Sequence, residues 1–233
     1  LIDQTIPSAM RLREPLHLPA AMTEAEFLKH LHALAQKNIL ADNYIGQGYY
    51  GTVTPAVILR NVFENPGWYT SYTPYQAEIS QGTLHYIFEY QSMMAELTGM
   101  DISNASMYDG ATATAEAMLL AFNNSRKADT VLYSSSLDPK TVDVMRTYAH
   151  FHGVRLEEFN SLTTSAEDLK ARVDKGDIAG VIVQQPDYYG IIEDFTGYAD
   201  ACHSKKALFV VNSIASDLAL LKTPGEWGAD LAV

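Results

Sequence analysis

Apolar residues return at helical spacing early in the chain. Phe27, Leu28, Leu31, Leu34, Ala35 and Ile39 fall on one face of residues 23–40, which Thr23 opens as an N-cap with Glu26 three positions on, the pattern of a capping box. That spacing predicts an amphipathic helix. The glycine- and tyrosine-rich stretch Tyr44–Gly51 reads as a loop. Pro55 starts a short helix through Glu64, since a missing N–H costs nothing in the first helical turn, and Asn65-Pro66-Gly67 ends it. Residues 67–82 follow neither the helical nor the strand period and are long for a connection. Such segments are functional or disordered, and three tyrosines with a tryptophan argue for order. A helix is then predicted over Thr83–Leu97, with Leu84, Ile87, Phe88 and Met94 spaced for one buried face and Gly99 as its stop. A second is predicted over Ala111–Phe122, after the turn Tyr108-Asp109-Gly110.

Past residue 128 the pattern changes. Short apolar runs at Val131–Ser134, Arg155–Phe159, Gly180–Gln184 and Leu208–Asn212 alternate with helical stretches at Pro139–His152, Ala166–Val173 and Gly197–Ser204. Strands separated by helices imply right-handed crossovers and a mostly parallel sheet covered on both faces. The expected fold is α/β, with a helical N-terminal arm over residues 1–65 and a truncated α/β domain over 66–233. No internal repeat is visible.

Composition narrows the function. The 233 residues are 47% hydrophobic and 19% charged, values of a folded globular chain. Twenty-eight acidic against sixteen basic residues give a formal charge of −12, which repels phosphate backbones and anionic membrane faces, so neither nucleic acid nor membrane is expected as a partner. No apolar run reaches the roughly 18 residues of a membrane span. Cys202 is the single cysteine, so no intrachain disulfide forms; a reducing, cytoplasmic setting fits. Leu1-Ile2-Asp3-Gln4-Thr5 lacks the features of a signal peptide, and the strand-like Gly228–Val233 lacks a terminating turn. Both ends read as cuts into a longer protein.

Two places combine groups that bind small polar ligands. Asp109-Gly110-Ala111-Thr112 leads into a helix, where free N–H groups and the positive dipole end accept anions; Asp109, Gly110 and Thr112 are therefore candidate cofactor contacts, although Asp109 equally serves as an ordinary N-cap. Tyr72-Thr73-Pro74-Tyr75-Gln76-Ala77-Glu78 sets two phenols, an amide and a carboxylate in a proline-stiffened loop, suited either to a small zwitterion or to packing on the sheet. Histidine offers no metal pair, since His30 and His32, and His150 and His152, diverge on their helices. Cys202 and His203 are neighbours on a helix and also diverge, which leaves no nucleophile–base dyad. Glu157 and Glu158 read as a solvated strand end. No nucleophile elbow, phosphate-binding P-loop or dinucleotide glycine triplet occurs.

Longer strings are more specific. YTPYQAEISQG (Tyr72–Gly82), Phe88-Glu89-Tyr90-Gln91, Glu96-Leu97-Thr98-Gly99-Met100 and NASMYDGATA (Asn104–Ala113), with Gln184-Gln185-Pro186, Gly190-Ile191-Ile192-Glu193-Asp194 and Pro224-Gly225-Glu226-Trp227-Gly228-Ala229-Asp230, run in order along nearly the whole chain. In these strings the chain resembles the P-proteins of the glycine cleavage system, most closely their N-terminal half, which in many bacteria is the separate subunit 1 of the decarboxylating glycine dehydrogenase. The resemblance implies the large domain of the aspartate-aminotransferase type, fold type I of the pyridoxal-phosphate enzymes. It also implies glycine decarboxylation with transfer of the aminomethyl group to the lipoyl arm of the H-protein. The Schiff-base lysine of the family lies in the other half, subunit 2. This chain is accordingly expected to complete that partner's active site with Tyr72, Tyr75, Gln76 and Glu78, while the partner binds the pyridoxal phosphate.

Three departures from the family pattern bear on that division. Ile214 stands where catalytic relatives place an aspartate for the pyridine nitrogen, Asp138-Pro139 replaces the usual His-Pro after the first strand, and Ala77 replaces a proline in the YTPYQ loop. The rival readings are an independent pyridoxal-phosphate lyase or aminotransferase of the same fold, and a non-catalytic scaffold subunit.

Overall fold

The computed structural model describes residues 1–46, 51–66, 73–125 and 127–233. The chain divides into two compact units, residues 1–46 and residues 47–233. The helical arm expected over 1–65 spans the first unit and the opening of the second.

In the first unit, α1 (Ile2–Thr5) and a 3-10 turn (Ser8–Met10) precede α2 (Glu24–Ala35). The capping box forms as the sequence predicts: Thr23 Oγ1 accepts from the Glu26 N–H, and the Glu26 carboxylate accepts from the Thr23 N–H at 2.9 Å. The helix is shorter than the expected 23–40, because the Asn38 side-chain amide donates to the Ala35 carbonyl at 3.1 Å and closes the last turn. Its apolar face is not buried: Phe27, Leu28, Leu31 and Leu34 are all between 43 and 55% exposed.

The second unit begins with α3 (Ala56–Ile58), which continues as a π-type turn over Leu59–Phe63. Then come α4 (Gln81–Thr98) and α5 (Gly110–Asn124). β1 (Thr130–Ser134), α6 (Pro139–His152), β2 (Arg155–Phe159), α7 (Ala166–Val173), β3 (Ile178–Gln185), α8 (Tyr198–His203), β4 (Leu208–Ser213) and β5 (Leu231–Ala232) complete the chain. The strands form one parallel sheet in the order β2-β1-β3-β4-β5, the α/β architecture expected.

Strand residues alternate between two cores. Val131, Tyr133, Ile182 and Val210 face α5 and α6 together with Met118 and Met145. Leu132, Val181, Val183, Phe209 and Val211 face the other side with Leu169, Phe195, Tyr198 and Cys202. Every one of these side chains is at most 5% exposed, so the central strands β1, β3 and β4 are dry on both faces, as parallel strands require, while the edge strand β2 is exposed at three of its five residues. Glu157 and Glu158 are exposed, as expected of a solvated strand end, and both are also paired. On the edge strand β2, Glu157 accepts from Arg172 at 2.6 and 2.8 Å and Glu158 accepts from the Tyr133 hydroxyl at 3.1 Å. Arg172 also binds Asp177, and this paired guanidinium holds the Glu157 and Asp177 carboxyls below the usual carboxylate range.

α4 differs more. Residues Leu84 and Phe88, expected in a buried face, are 38 and 67% exposed, and no α4 residue is buried. The helix is fastened at its carboxyl end. Gly99 takes the left-handed conformation (φ 70°), and the Gly225 N–H donates to the Thr98 carbonyl at 2.9 Å. The two glycines touch so closely that a β-carbon on Gly225 would fall on the Gly99 carbonyl. We expect Gly225→Ala to cost about 1–3 kcal/mol through that clash, read as a lower urea midpoint. Gly82→Ala meets nothing within 4 Å and should leave the midpoint unchanged or slightly raised.

Candidate functional site

In an open parallel sheet, ligands collect outside the carboxyl ends of the strands where the strand order reverses. Here the chain passes from β1 to its neighbour β2 and then returns to place β3 on the other side of β1, so the reversal lies between β1 and β3. The residues that leave these strand ends are polar and buried: Ser134 and Ser136 after β1, Ser161 after β2, Gln185 and Asp187 after β3.

They bind one another. Ser134 Oγ lies 2.8 Å from Ser136 Oγ and 2.7 Å from Ser161 Oγ, and Ser161 Oγ donates to Glu193 Oε1 at 2.9 Å. The Gln185 carboxamide grips the backbone of Glu193 twice, donating to its carbonyl at 2.9 Å and accepting its N–H at 3.0 Å. The Tyr188 N–H donates to the Ser136 carbonyl at 2.9 Å, and Asp187 Oδ1 accepts the N–H groups of Tyr189 and Ile191. The segment 186–194 is thereby tied down over the ends of β1 and β3. Burial, and secondarily the nearby Asp187 carboxylate, pushes the Glu193 carboxyl above its ordinary range. The hydroxyls are spent on each other and on this carboxylate, and no histidine joins them. The network occupies the crevice with the chain's own groups, and among the described residues it leaves the buried Asp187 Oδ2 without a hydrogen-bond partner.

At the start of α5, the three candidate cofactor contacts form an ordinary cap. Asp109 accepts the Thr112 N–H at 2.8 Å, and the Thr112 hydroxyl donates back to the Asp109 carbonyl at 3.1 Å. A β-carbon on Gly110 would meet nothing within 4 Å. One turn on, the Thr114 hydroxyl donates to the Gly110 carbonyl and accepts from the Asn212 amide at 2.8 Å, which joins the end of β4 to α5. Among the described residues, the buried Asn212 Oδ1 and Ser213 Oγ have no hydrogen-bond partner.

These residues do not fit pyridoxal phosphate. The connections leaving β1, β2 and β3, residues 135–138, 160–165 and 186–197, contain no lysine, and the one leaving β4, residues 214–230, contains Lys222, whose ammonium lies over the Trp227 ring at 4.4 Å from its centre. β4 ends in Asn212 and Ser213, and the next residue, Ile214, is 55% exposed; none of the three offers a carboxylate to a pyridinium. The Asp109 carboxylate already occupies the Thr112 N–H of the helix terminus that a phosphate would use. Cys202 provides no alternative nucleophile. It is fully buried with its thiol pushed up to about 12 by burial, while His203 turns away to Asp230 at 2.9 Å.

The YTPYQ loop is the remaining candidate. Tyr72 lies outside the described residues. Thr73–Ile79 forms an irregular turn at the amino end of α4, held by backbone bonds from Tyr75 to Thr73 (2.8 Å) and from Ile79 to Gln76 (3.3 Å). It presents Tyr75, Gln76 and Glu78 together at the surface, with Tyr75 81% exposed. Tyr75 does not pack into the sheet. Sequence reasoning missed the Ser134–Ser161–Glu193 network, and the available signal was a pair of glutamines, Gln184 and Gln185, ending an otherwise apolar strand.

Comparison with known proteins adds identity to this geometry. The family model described as glycine cleavage system P-protein matches residues 1–233. A glycine dehydrogenase (decarboxylating) of Photobacterium profundum is 48% identical over 100% of this chain, which covers 24% of that relative. The corresponding protein of Akkermansia muciniphila is 43% identical, again over 100% of this chain and 24% of the relative. The chain thus spans about a quarter of the length of these curated relatives. Among solved structures, glycine decarboxylase (P-protein) of the glycine cleavage system, in inhibitor-bound form, superposes with a TM-score of 0.83 at 36% identity, over 99% of this chain and 52% of that one. A ureidoglycine–glyoxylate aminotransferase from Bacillus subtilis shares the fold at a TM-score of 0.50 and 21% identity, over 69% of this chain and 42% of that one.

Two outcomes are expected at this site. Glu193, raised in the folded state, contributes stability that is present below the ordinary carboxylate pKa and is lost as pH rises through its folded value. Urea midpoints measured across that window should therefore fall more steeply with pH for wild type than for Glu193→Gln; parallel profiles would refute the burial account. Pyridoxal phosphate titrated into this chain should give no saturable one-to-one absorption band that depends on a single lysine.

Proposed function

Because this chain belongs to the glycine cleavage system P-protein family, we propose that it works as part of a glycine dehydrogenase (decarboxylating) that decarboxylates glycine and passes the aminomethyl group to the lipoyl arm of the H-protein. The match along all 233 residues carries this reading. In it, residues 66–233 are part of the large domain, residues 1–65 are its N-terminal arm, and the setting is cytoplasmic. The lysine-bearing subunit 2 binds pyridoxal phosphate, which supplies the electron sink for decarboxylation.

This chain's part is to complete the partner's site. A carboxyl edge occupied by the chain's own groups, whose one connecting lysine, Lys222, lies over the Trp227 ring, and an exposed polar loop together support it: the groups are presented outward rather than to a site of the chain's own. Glu78 would hold the glycine ammonium, while Gln76 and the phenols of Tyr72 and Tyr75 would hydrogen-bond its carboxylate and keep it oriented for loss. Chain lengths also support a divided enzyme. The same match covers 24% of the curated relatives but 52% of the solved chain, which makes the solved chain roughly half as long as those relatives.

In the assembled enzyme, Tyr72→Phe, Tyr75→Phe and Glu78→Gln should each lower glycine decarboxylation with H-protein present by about 5- to 150-fold, the roughly 1–3 kcal/mol of an unpaired hydrogen-bonding group, with association unchanged. Wild-type kinetics in all three would eliminate the shared site. Loss of association with full activity per assembled complex would favour the scaffold.

A further inference from the structure

Tyr108 stands wholly in water, at 103% exposure, on a backbone that is held in place. In the connection from α4 to α5, the Gln91 side-chain amide donates to the Ser103 carbonyl at 2.6 Å, Asn104 Oδ1 accepts the Ser106 N–H at 3.0 Å, and Asp109 caps α5 immediately afterwards. Ser106 takes a left-handed conformation (φ 97°), which a residue with a β-carbon keeps only where its surroundings impose it. A fixed, strained turn thus presents a free aromatic ring.

The same contacts give the direction of the turn. After Gly99 the chain runs back along α4: Ser103 is bonded to Gln91, and Ala105 and Ser106 line one groove with Tyr86, Ile87 and Tyr90. Gln91 to Tyr86 is about 7.5 Å toward the amino end of the helix. Two further residues span at most about 7 Å, so Tyr108 stays beside the amino half of α4. That is the end led by the turn bearing Tyr75, Gln76 and Glu78. Two segments far apart on the helical path therefore meet at one end of it.

Their chemistry differs. In the shared-site reading the groups of the 73–79 turn take both charged ends of glycine, whose single methylene leaves almost nothing apolar to bury. Tyr108 offers chiefly the flat face of a ring. The other reactant, the lipoyl arm, is an alkyl chain ending in a disulfide ring, and an aromatic face both buries such a chain and meets its sulfur favourably.

We propose that Tyr108 lines the path of the lipoyl arm, its ring packing against the arm's apolar chain as the arm reaches glycine beside the 73–79 turn. This rests on the shared-site reading and makes Tyr108 a specificity-determining contact for the acceptor.

In the assembled enzyme, Tyr108→Ala should raise the KM for lipoylated H-protein about 5- to 50-fold and leave the KM for glycine and the extent of assembly unchanged. Tyr108→Phe keeps the ring and should match wild type. Unlipoylated H-protein, added as a competitive inhibitor, should inhibit wild type and Tyr108→Ala alike, since it docks without the arm. A parallel loss of that inhibition would make Tyr108 a contact for the H-protein surface, a raised glycine KM would place it in the glycine pocket, and reduced assembly would make it packing. Each of these, or an unchanged KM for lipoylated H-protein, overturns the proposal. Glu78→Gln separates the arm contact from the glycine contacts. Wild-type kinetics in that variant, beside the expected Tyr108→Ala defect, would remove the glycine contacts and leave the arm contact standing; an impaired Glu78→Gln beside a wild-type Tyr108→Ala would do the reverse. No glycine turnover with lipoylated H-protein in the wild type would overturn both.

Discussion

A parallel sheet has no face that tolerates water, because each crossover must return over it, and the rest of this molecule follows from covering both sides of five strands. α5 and α6 close one side and α7 and α8 the other, and the alternation of Val131, Leu132 and Tyr133 between the two cores leaves no freedom to slip the register. A shift of one residue would turn Val181 and Val183 into the wrong core and bring Ile182 with them. The sheet is therefore a rigid frame, and only its ends are available for chemistry.

At the carboxyl ends that chemistry has been exchanged for structure. Ser134, Ser136, Ser161 and Glu193 bond to one another, and Gln185 clamps the backbone that carries Glu193. Holding a carboxyl in partly dry surroundings raises its pKa and works against stability at neutral pH, so the hydroxyls serve to offset its desolvation. The neighbouring terminus of α5 is similarly self-sufficient, with Asp109 as cap. A fold that elsewhere opens this edge to a ligand is here closed from within. In the proposed reading, function lies instead with the exposed 73–79 turn.

The strands and their helices were legible because two-sided burial leaves an unambiguous trace: short apolar runs, turn residues, then a 3.6-residue period. Boundaries moved by a few residues where a side chain intervened, as Asn38 does at the end of α2. The α4 face was misread for a different reason. Leu84 and Phe88 have the spacing of a core stripe, and nothing local distinguishes an apolar residue facing its own domain from one facing another chain. The switch-point network was illegible since serines and a glutamate scattered over sixty residues meet only through topology. The YTPYQ loop was legible as chemistry but not as placement: its phenols suit packing and binding alike, and only the exposure of Tyr75 separates the two.

That ambiguity has a physical counterpart in how burial is distributed. Among the described residues before Gly110, Ser80 alone is buried, although Phe27, Leu31, Phe63, Phe88 and Met93 are as apolar as anything in the sheet. From Gly110 onward the strands and helices build the buried core, although Phe151, Tyr189, Ile192, Ile214 and Leu220 still face water. The two parts therefore differ in degree, the first having almost no core of its own and the second a core with apolar residues left at its rim. Apolar area of that extent, left facing water, works against solubility and against a unique conformation, so its retention is intelligible only if assembly covers it. The helix that carries the 73–79 loop is itself held within the chain, by Gly225 at its carboxyl end and by Gln91 on the Ser103 carbonyl. The polar groups of the 73–79 turn and the exposed apolar Phe88 and Met93 thus lie on one helix and its leading turn, so that whatever covers the one is brought close to the other.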